Sequence, residues 1–247
     1  MAVTDTSPDQ PELIASELDL TEASSDDLSE DLAAEVAAEV AAELAAQREA
    51  SSRISDRTFG IILTILGAIA FVASMALSIE KYLKLINPDH VASCSLNIFL
   101  DCSEAMASHQ GAIFGFPNPY IGVAAFAVVT TVGVSMLAGA KYPKWFMIAL
   151  LVGTTLGLAM IIFLIYTSIH VLQRLCPYCL VVWAMMFPLF WYQIVRGVQE
   201  RYLPASERVR AFIMRNRNVI WPLFYLAVIL WIALGMGGTI VDYLRQN

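Results

Sequence analysis

Charge is scarce in this chain, and what there is lies unevenly. Only 15% of the 247 residues are Asp, Glu, Lys or Arg, against 58% apolar, whereas soluble domains carry about 25% and about 45–50%. That balance excludes a soluble single domain. The basic residues form no dense patch and accompany no aromatic platform, which argues against a nucleic-acid binder. No G-x-G-x-x-G follows a strand-like run, so a dinucleotide fingerprint is missing. Histidine is limited to His90, His109 and His170, a poor supply for haem ligation. The first apolar run starts near residue 59 behind a flank that is acidic as well as basic, which does not read as a signal peptide.

The formal net charge of −7 conceals two regions. Residues 1–57 hold 15 of the 22 acidic side chains and only Arg48, Arg53 and Arg57, so this segment carries −12 and the remainder +5. Within it Glu35, Glu39 and Glu43 recur at i,i+4 in an alanine-rich run with no basic partner, and repel along one face. The segment reads as a largely disordered, solvated acidic tail, with a docking helix for a cytoplasmic partner as the alternative.

Five stretches free of Asp, Glu, Lys and Arg follow: Phe59–Ile79, Pro119–Ala140, Trp145–Ile169, Leu175–Val195 and Val219–Val241. Each approaches the ~20 residues that cross ~30 Å of hydrocarbon. In lipid the backbone must satisfy itself, so the expected fold is an all-α membrane protein: a four-helix transmembrane bundle over 58–195, a basic loop over 196–218, and a fifth transmembrane helix within 219–247. Gly153 and Gly157 in the third run, and Gly235, Gly237 and Gly238 in the fifth, read as sites of close helix packing. With the tail placed in the cytoplasm, eleven Lys and Arg lie inside and four outside, a positive-inside bias. The expected location is therefore the plasma membrane, multi-pass, with the loop 80–118 extracytoplasmic.

All four cysteines fall on that outer side. Cys94 and Cys102 share the long loop, and Cys176-Pro177-Tyr178-Cys179 opens the fourth run. An even count in an oxidising compartment favours disulfide chemistry over metal. Residues three apart on a helix lie ~5–6 Å apart at Cβ, close enough to bridge. The helix start also lowers the pKa of the first thiol. The competing readings are core filler, a structural Cys94–Cys102 staple and, third, a four-cysteine zinc site. Haem c attachment is excluded because Leu180, not His, follows Cys179.

The runs Cys94-Ser95-Leu96 and Asp101-Cys102-Ser103-Glu104-Ala105-Met106, then Phe114-Gly115-Phe116-Pro117-Asn118-Pro119 with Ile121-Gly122, and Leu175-Cys176-Pro177-Tyr178-Cys179 with Trp183, resemble the vitamin K epoxide reductase (VKOR) family, its actinobacterial members in particular. The resemblance covers roughly residues 59–195. It implies a four-helix bundle around a quinone, menaquinone-type or ubiquinone-type, and an enzyme acting in the manner of DsbB. Electrons would pass from a DsbA-like thioredoxin-fold partner to Cys94 and Cys102, then to Cys176 and Cys179, then to the quinone. By the same resemblance Cys179 faces the quinone, Cys176 exchanges with the loop, and Asn118 hydrogen-bonds a quinone carbonyl. Some relatives carry a thioredoxin-like domain after the fifth helix; only Asp242 to Asn247 follow it here, so the partner is expected to be a separate protein. Trp183 stands where the animal enzymes have tyrosine, which weakens the inference to vitamin K epoxide as substrate.

The residues read on their own leave choices open. A quinone suits the energetics, because reoxidising a disulfide oxidant as strong as ~−120 mV requires an acceptor above that value. Asn118 followed by Pro119 is a preferred N-cap and first-turn pair. Trp183 suits either an interfacial belt or the wall of a ring-shaped pocket. His170 reads as an interfacial polar residue, and Pro188 as a kink. Rival functions are transport, which the lack of ionisable residues in the spans disfavours; a thiol-reductant conduit, which needs cysteines on both faces; and a non-catalytic assembly factor with structural disulfides. The loop reads as a flexible shuttle that reaches outward and inward.

Overall fold

A computed structural model describes residues 32–44, 47, 53–95 and 100–246, with side chains to residue 238. Two units are distinguished, Met1–Arg53 and Ile54–Asn247. In the first, residues 32–44 are helical and exposed. The expectation of a disordered tail falls mostly outside the described residues.

Among the described residues, the regular structure of the second unit is helical. Helix α1 spans Asp56–Ile86, α2 Cys102–Ala107, α3 Asn118–Leu137, α4 Lys144–Thr167, α5 Pro177–Gln199, α6 Glu207–Asn216 and α7 Ile220–Gln246. A 3₁₀ turn, His109–Ala112, follows α2, and a π turn, Ser168–Leu172, prolongs α4. Five of these helices are long and apolar enough to cross a membrane, and the protein is an all-α membrane protein. Local signals set the ends. Ser55 caps α1 through Thr58 N–H, Ser206 caps α6 through Val209 N–H, and Gln173, in the left-handed region at φ 53°, stops the π turn. Helix α1 continues about two turns beyond the expected limit of Ile79, because Glu80, Lys81 and Lys84 find polar partners in the loop above.

Helix α1 packs on α3 and α5, α4 packs on α5, and α7 lies against α5 and the π turn. The core joins Phe59 and Leu63 of α1, Phe126 and Val129 of α3, Leu158 and Ile165 of α4, and Trp183, Met186 and Leu189 of α5. A Cβ on Gly133 would lie 2.5 Å from Thr64 Oγ1 and 2.6 Å from Thr64 N, and one on Gly122 would lie 2.7 Å from Ser74 Oγ. The α1–α3 contact is therefore the close, glycine-dependent one. The glycines read from the sequence as packing sites divide differently. Gly235 meets Ile169 and Gly157 meets Met186, but Gly153, Gly237 and Gly238 have nothing within 4 Å of an added Cβ. Gly153 lines a cavity instead.

The opposite end of the bundle is fastened by a reciprocal amide pair. Ile54 N–H donates to Gln199 Oε1 at 2.8 Å, and Gln199 Nε2 donates to Ile54 O at 2.9 Å. Arg196 adds a bond to Ile54 O at 2.7 Å and an ion pair with Asp56.

Candidate functional site

Above the bundle the loop is tied down at several points. Glu80, near the top of α1, accepts from His90 Nε2 at 2.9 Å, from Ser93 N–H at 3.2 Å and from the Ser93 hydroxyl. Lys81 Nζ donates to Met106 O at 2.6 Å, and Lys84 Nζ to His90 O at 3.0 Å. Adjacent side chains on one helix thus hold both flanks of the loop-cysteine pair. The expected free shuttle is, in this structure, a docked segment. Its backbone and polar groups find partners on α1 and on the start of α5, which offsets the entropy of ordering it.

Cys94 and Cys102 form a disulfide, with Sγ–Sγ 2.07 Å and Cα–Cα 5.7 Å, while Cys176 and Cys179 are free thiols. Cys102 is the first residue of α2, whose N-cap Asp101 accepts from Ser103 N–H at 2.9 Å. Cys176 is the N-cap of α5, where its sulfur accepts from Cys179 N–H at 3.5 Å. A single parallel bridge, Leu100 with Leu175, and the bond from Asp101 N–H to Leu175 O at 3.0 Å join the two helix starts. As a result Cys102 Sγ lies 2.9 Å from Cys176 Sγ. Cys94, Cys102 and Cys176 are 4%, 0% and 2% exposed, and pack with Leu77, Ala92 and Met106 in an apolar cluster of their own. Two of the four sulfurs are bonded to each other, whereas a four-thiolate zinc site needs all four free. Among the described residues no three His, Cys, Asp or Glu are grouped to hold a metal.

Beneath this cluster lies a cavity of about 480 Å³. Its walls are α3 from Asn118 to Val129 and almost the full length of α4, with α1 and α5 behind. Ala105, Met106, Ser108, Gln110 and Gly111 of the loop form its roof. Cys179, Asn118 and Trp183 all line it. Asn118 is the first residue of α3; Pro117 is the N-cap and no side chain caps the helix. The cap reading of Asn118 is thus corrected: its Nδ2 donates to Gln110 O at 2.7 Å and its Oδ1 accepts from Ile113 N–H at 3.3 Å. The carboxamide turns back to the roof, where it meets these two backbone groups of the loop. Trp183 is 4% exposed, so it is a wall residue and not an interfacial belt residue. His170 lies outside the cavity and accepts from Trp231 Nε1 at 3.2 Å, joining α7 to the π turn.

Burial pushes the Asp101 carboxyl up, but hydrogen bonds from Ser95 and from the Ser103 N–H and hydroxyl, with the Arg174 charge, outweigh it and hold it below the usual carboxylate range. Sequence reading passed over Asp101, Arg174, Glu80 and Ser93. Opposite charges next to Cys102 and near Cys176, and a lone carboxylate at the end of an apolar run, were the signals available.

No curated protein matches the chain at a significant level. A sequence model described as the vitamin K epoxide reductase family matches residues 61–194, more than half of the chain, with all of α3 and α4 and most of α1 and α5. With its five spanning helices and its cysteine pair, the chain belongs to the vitamin K epoxide reductase family and is a multi-pass membrane oxidoreductase of thiols and disulfides.

Proposed function

We propose that this protein is a thiol:quinone oxidoreductase that reoxidises a separate DsbA-like thioredoxin-fold partner outside the cell membrane, as DsbB does. The observation that carries this reading is the 2.9 Å approach of Cys102 to Cys176, with the Cys94 disulfide on one side and Cys179 at the cavity on the other. Partner dithiol reduces Cys94–Cys102, leaving two thiols here and a disulfide on the partner. Cys102 thiolate then attacks the Cys176 sulfur of an oxidised Cys176–Cys179 pair and Cys179 leaves as thiolate; Cys94 attacks Cys102 and Cys176 leaves. The result is the arrangement observed, with the loop oxidised and the C-x-x-C pair reduced. Such exchange runs through mixed disulfides and needs no oxidant of its own.

The cavity fits a lipid quinone: its volume lies within the ~300–1,000 Å³ of ligand pockets, it is mostly apolar along α4, where Thr154 is the mid-helix exception, and polar groups including Asn118, Gln110 and Ser108 gather near the roof. A quinone held there supplies an acceptor for two electrons and two protons. Asn118 would hold a ring carbonyl with the amide hydrogen not directed at Gln110, Trp183 would wall the ring, and Cys179 would face it. The eleven-to-four distribution of Lys and Arg supports a cytoplasmic start to α1 and cysteines on the outer face.

The test is turnover of purified protein in detergent. Reduced partner should reduce added quinone in the wild type but not with Cys94→Ala or Cys102→Ala, while dithiothreitol, which reaches Cys176 and Cys179 directly, should still do so. Partner oxidation at the normal rate without either loop cysteine would return Cys94–Cys102 to a structural staple.

A further inference from the structure

We propose that Asp101 and Arg174 form a charge lock that positions Cys102 against Cys176. The proposal rests on the relay above and identifies what brings its two halves into register. Asp101 immediately precedes Cys102, and Arg174 stands two residues before Cys176. The carboxylate divides its work. Oδ1 serves its own segment, accepting from Ser103 N–H at 2.9 Å and from Ser95 Oγ at 2.5 Å. Oδ2 reaches across to Arg174 Nη1 at 3.8 Å, where both side chains are only partly exposed. Helix α2 has six residues, too few to hold an orientation by itself. Its start meets the segment leading into α5 at the Leu100–Leu175 bridge, with the bond from Asp101 N–H to Leu175 O. The ion pair ties the same junction through side chains, at the residue next to Cys102. The Cys94 flank is held by other groups, Glu80, Ser93 and Tyr178, so the lock acts on Cys102 in particular. Asp101 and Arg174 are positioning residues: they act on the sulfurs through the segments that carry Cys102 and Cys176.

The parent for the test is Cys179→Ala. There Cys176 thiolate exchanges with Cys94–Cys102: the Cys176–Cys102 bond forms, the Cys94–Cys102 bond breaks, and Cys94 leaves as thiolate. No electrons enter or leave, so the ratio of the two disulfide isomers, measured by acid quench, alkylation and peptide mass spectrometry, reports the register. Arg174→Gln should lower the share of the Cys102–Cys176 isomer relative to Cys94–Cys102 by about two- to fivefold, the range for a partly exposed ion pair. Arg174→Lys, which keeps the charge, should restore most of it. Asp101→Asn keeps the cap and the Ser95 bond but loses the charge, and should lower the ratio likewise; adding Arg174→Gln to it should cause no further fall. Equal ratios in the parent and in Arg174→Gln, or no rescue by lysine, would overturn the lock while leaving the relay intact. Failure of the parent itself to form any Cys102–Cys176 disulfide would overturn the relay.

Discussion

Asn118 is bound to the roof through both ends of its carboxamide, so its truncation has two separable effects. Asn118→Ala should lose about 1–3 kcal/mol of unfolding free energy, because buried loop groups are left without partners. It should also lower turnover per folded molecule with saturating dithiothreitol, since a donor to an oxygen that gains charge acts most strongly in the transition state. Denaturant titration beside quinone reduction separates the two, and unchanged turnover per folded molecule would leave Asn118 a loop fastener only. Asp101 carries a pH signature. Its folded carboxyl titrates below the unfolded value, so its contribution is complete above the unfolded value of ~3.9 and is lost as pH falls through the lowered folded one. The difference in thermal midpoint between the wild type and Asp101→Asn should accordingly be constant from neutrality to about pH 5 and vanish in stronger acid. The sequence singles out the four cysteines, Asn118 and Trp183 by their chemistry or their motif, and the structure brings them to one cysteine cluster and the cavity beneath it. That Cys102 and not Cys94 abuts Cys176 could not be read there, since it depends on one bridge between Leu100 and Leu175 across 75 positions of chain.

At the scale of the helix, spans are legible because hydropathy is a property of the run itself, and the five runs correspond to five membrane-length helices. The use of a glycine is different, since it depends on which neighbour lies opposite. Gly153 and Gly157 read as a packing motif, yet Gly153 faces open space while Gly133, outside any such motif, lies against Thr64. A paired substitution tests this. Gly133→Ala should destabilise the bundle by about 1–3 kcal/mol through overpacking, read as a lower thermal midpoint in detergent. Gly153→Leu should leave the midpoint nearly unchanged but fill part of the cavity, raising the quinone KM. The loop, read from its sequence as a flexible shuttle, is docked on the bundle in this structure. Its polar residues are ordinary for a solvated segment, and only the folded bundle shows that α1 extends up to meet them.

Taken across the membrane, the molecule places all four cysteine sulfurs in the upper part of the bundle, and the Ile54–Gln199 clasp at the other end. In the proposed orientation, with the cysteines outside, reduced Cys94 and Cys102 should react in intact cells with a membrane-impermeant maleimide. Labelling only after lysis would reverse the orientation and the proposed role with it. The receiving disulfide, however, is shut away: Cys94 is 4% exposed and Cys102 0%. A reductant can strike it only in the moments when the surrounding segment lifts. Raising the partner's concentration then speeds the reaction only until every lifting event is used, after which the rate levels off at the frequency of lifting itself. That ceiling belongs to this chain and is the same for every reductant that enters through the loop disulfide, the partner included.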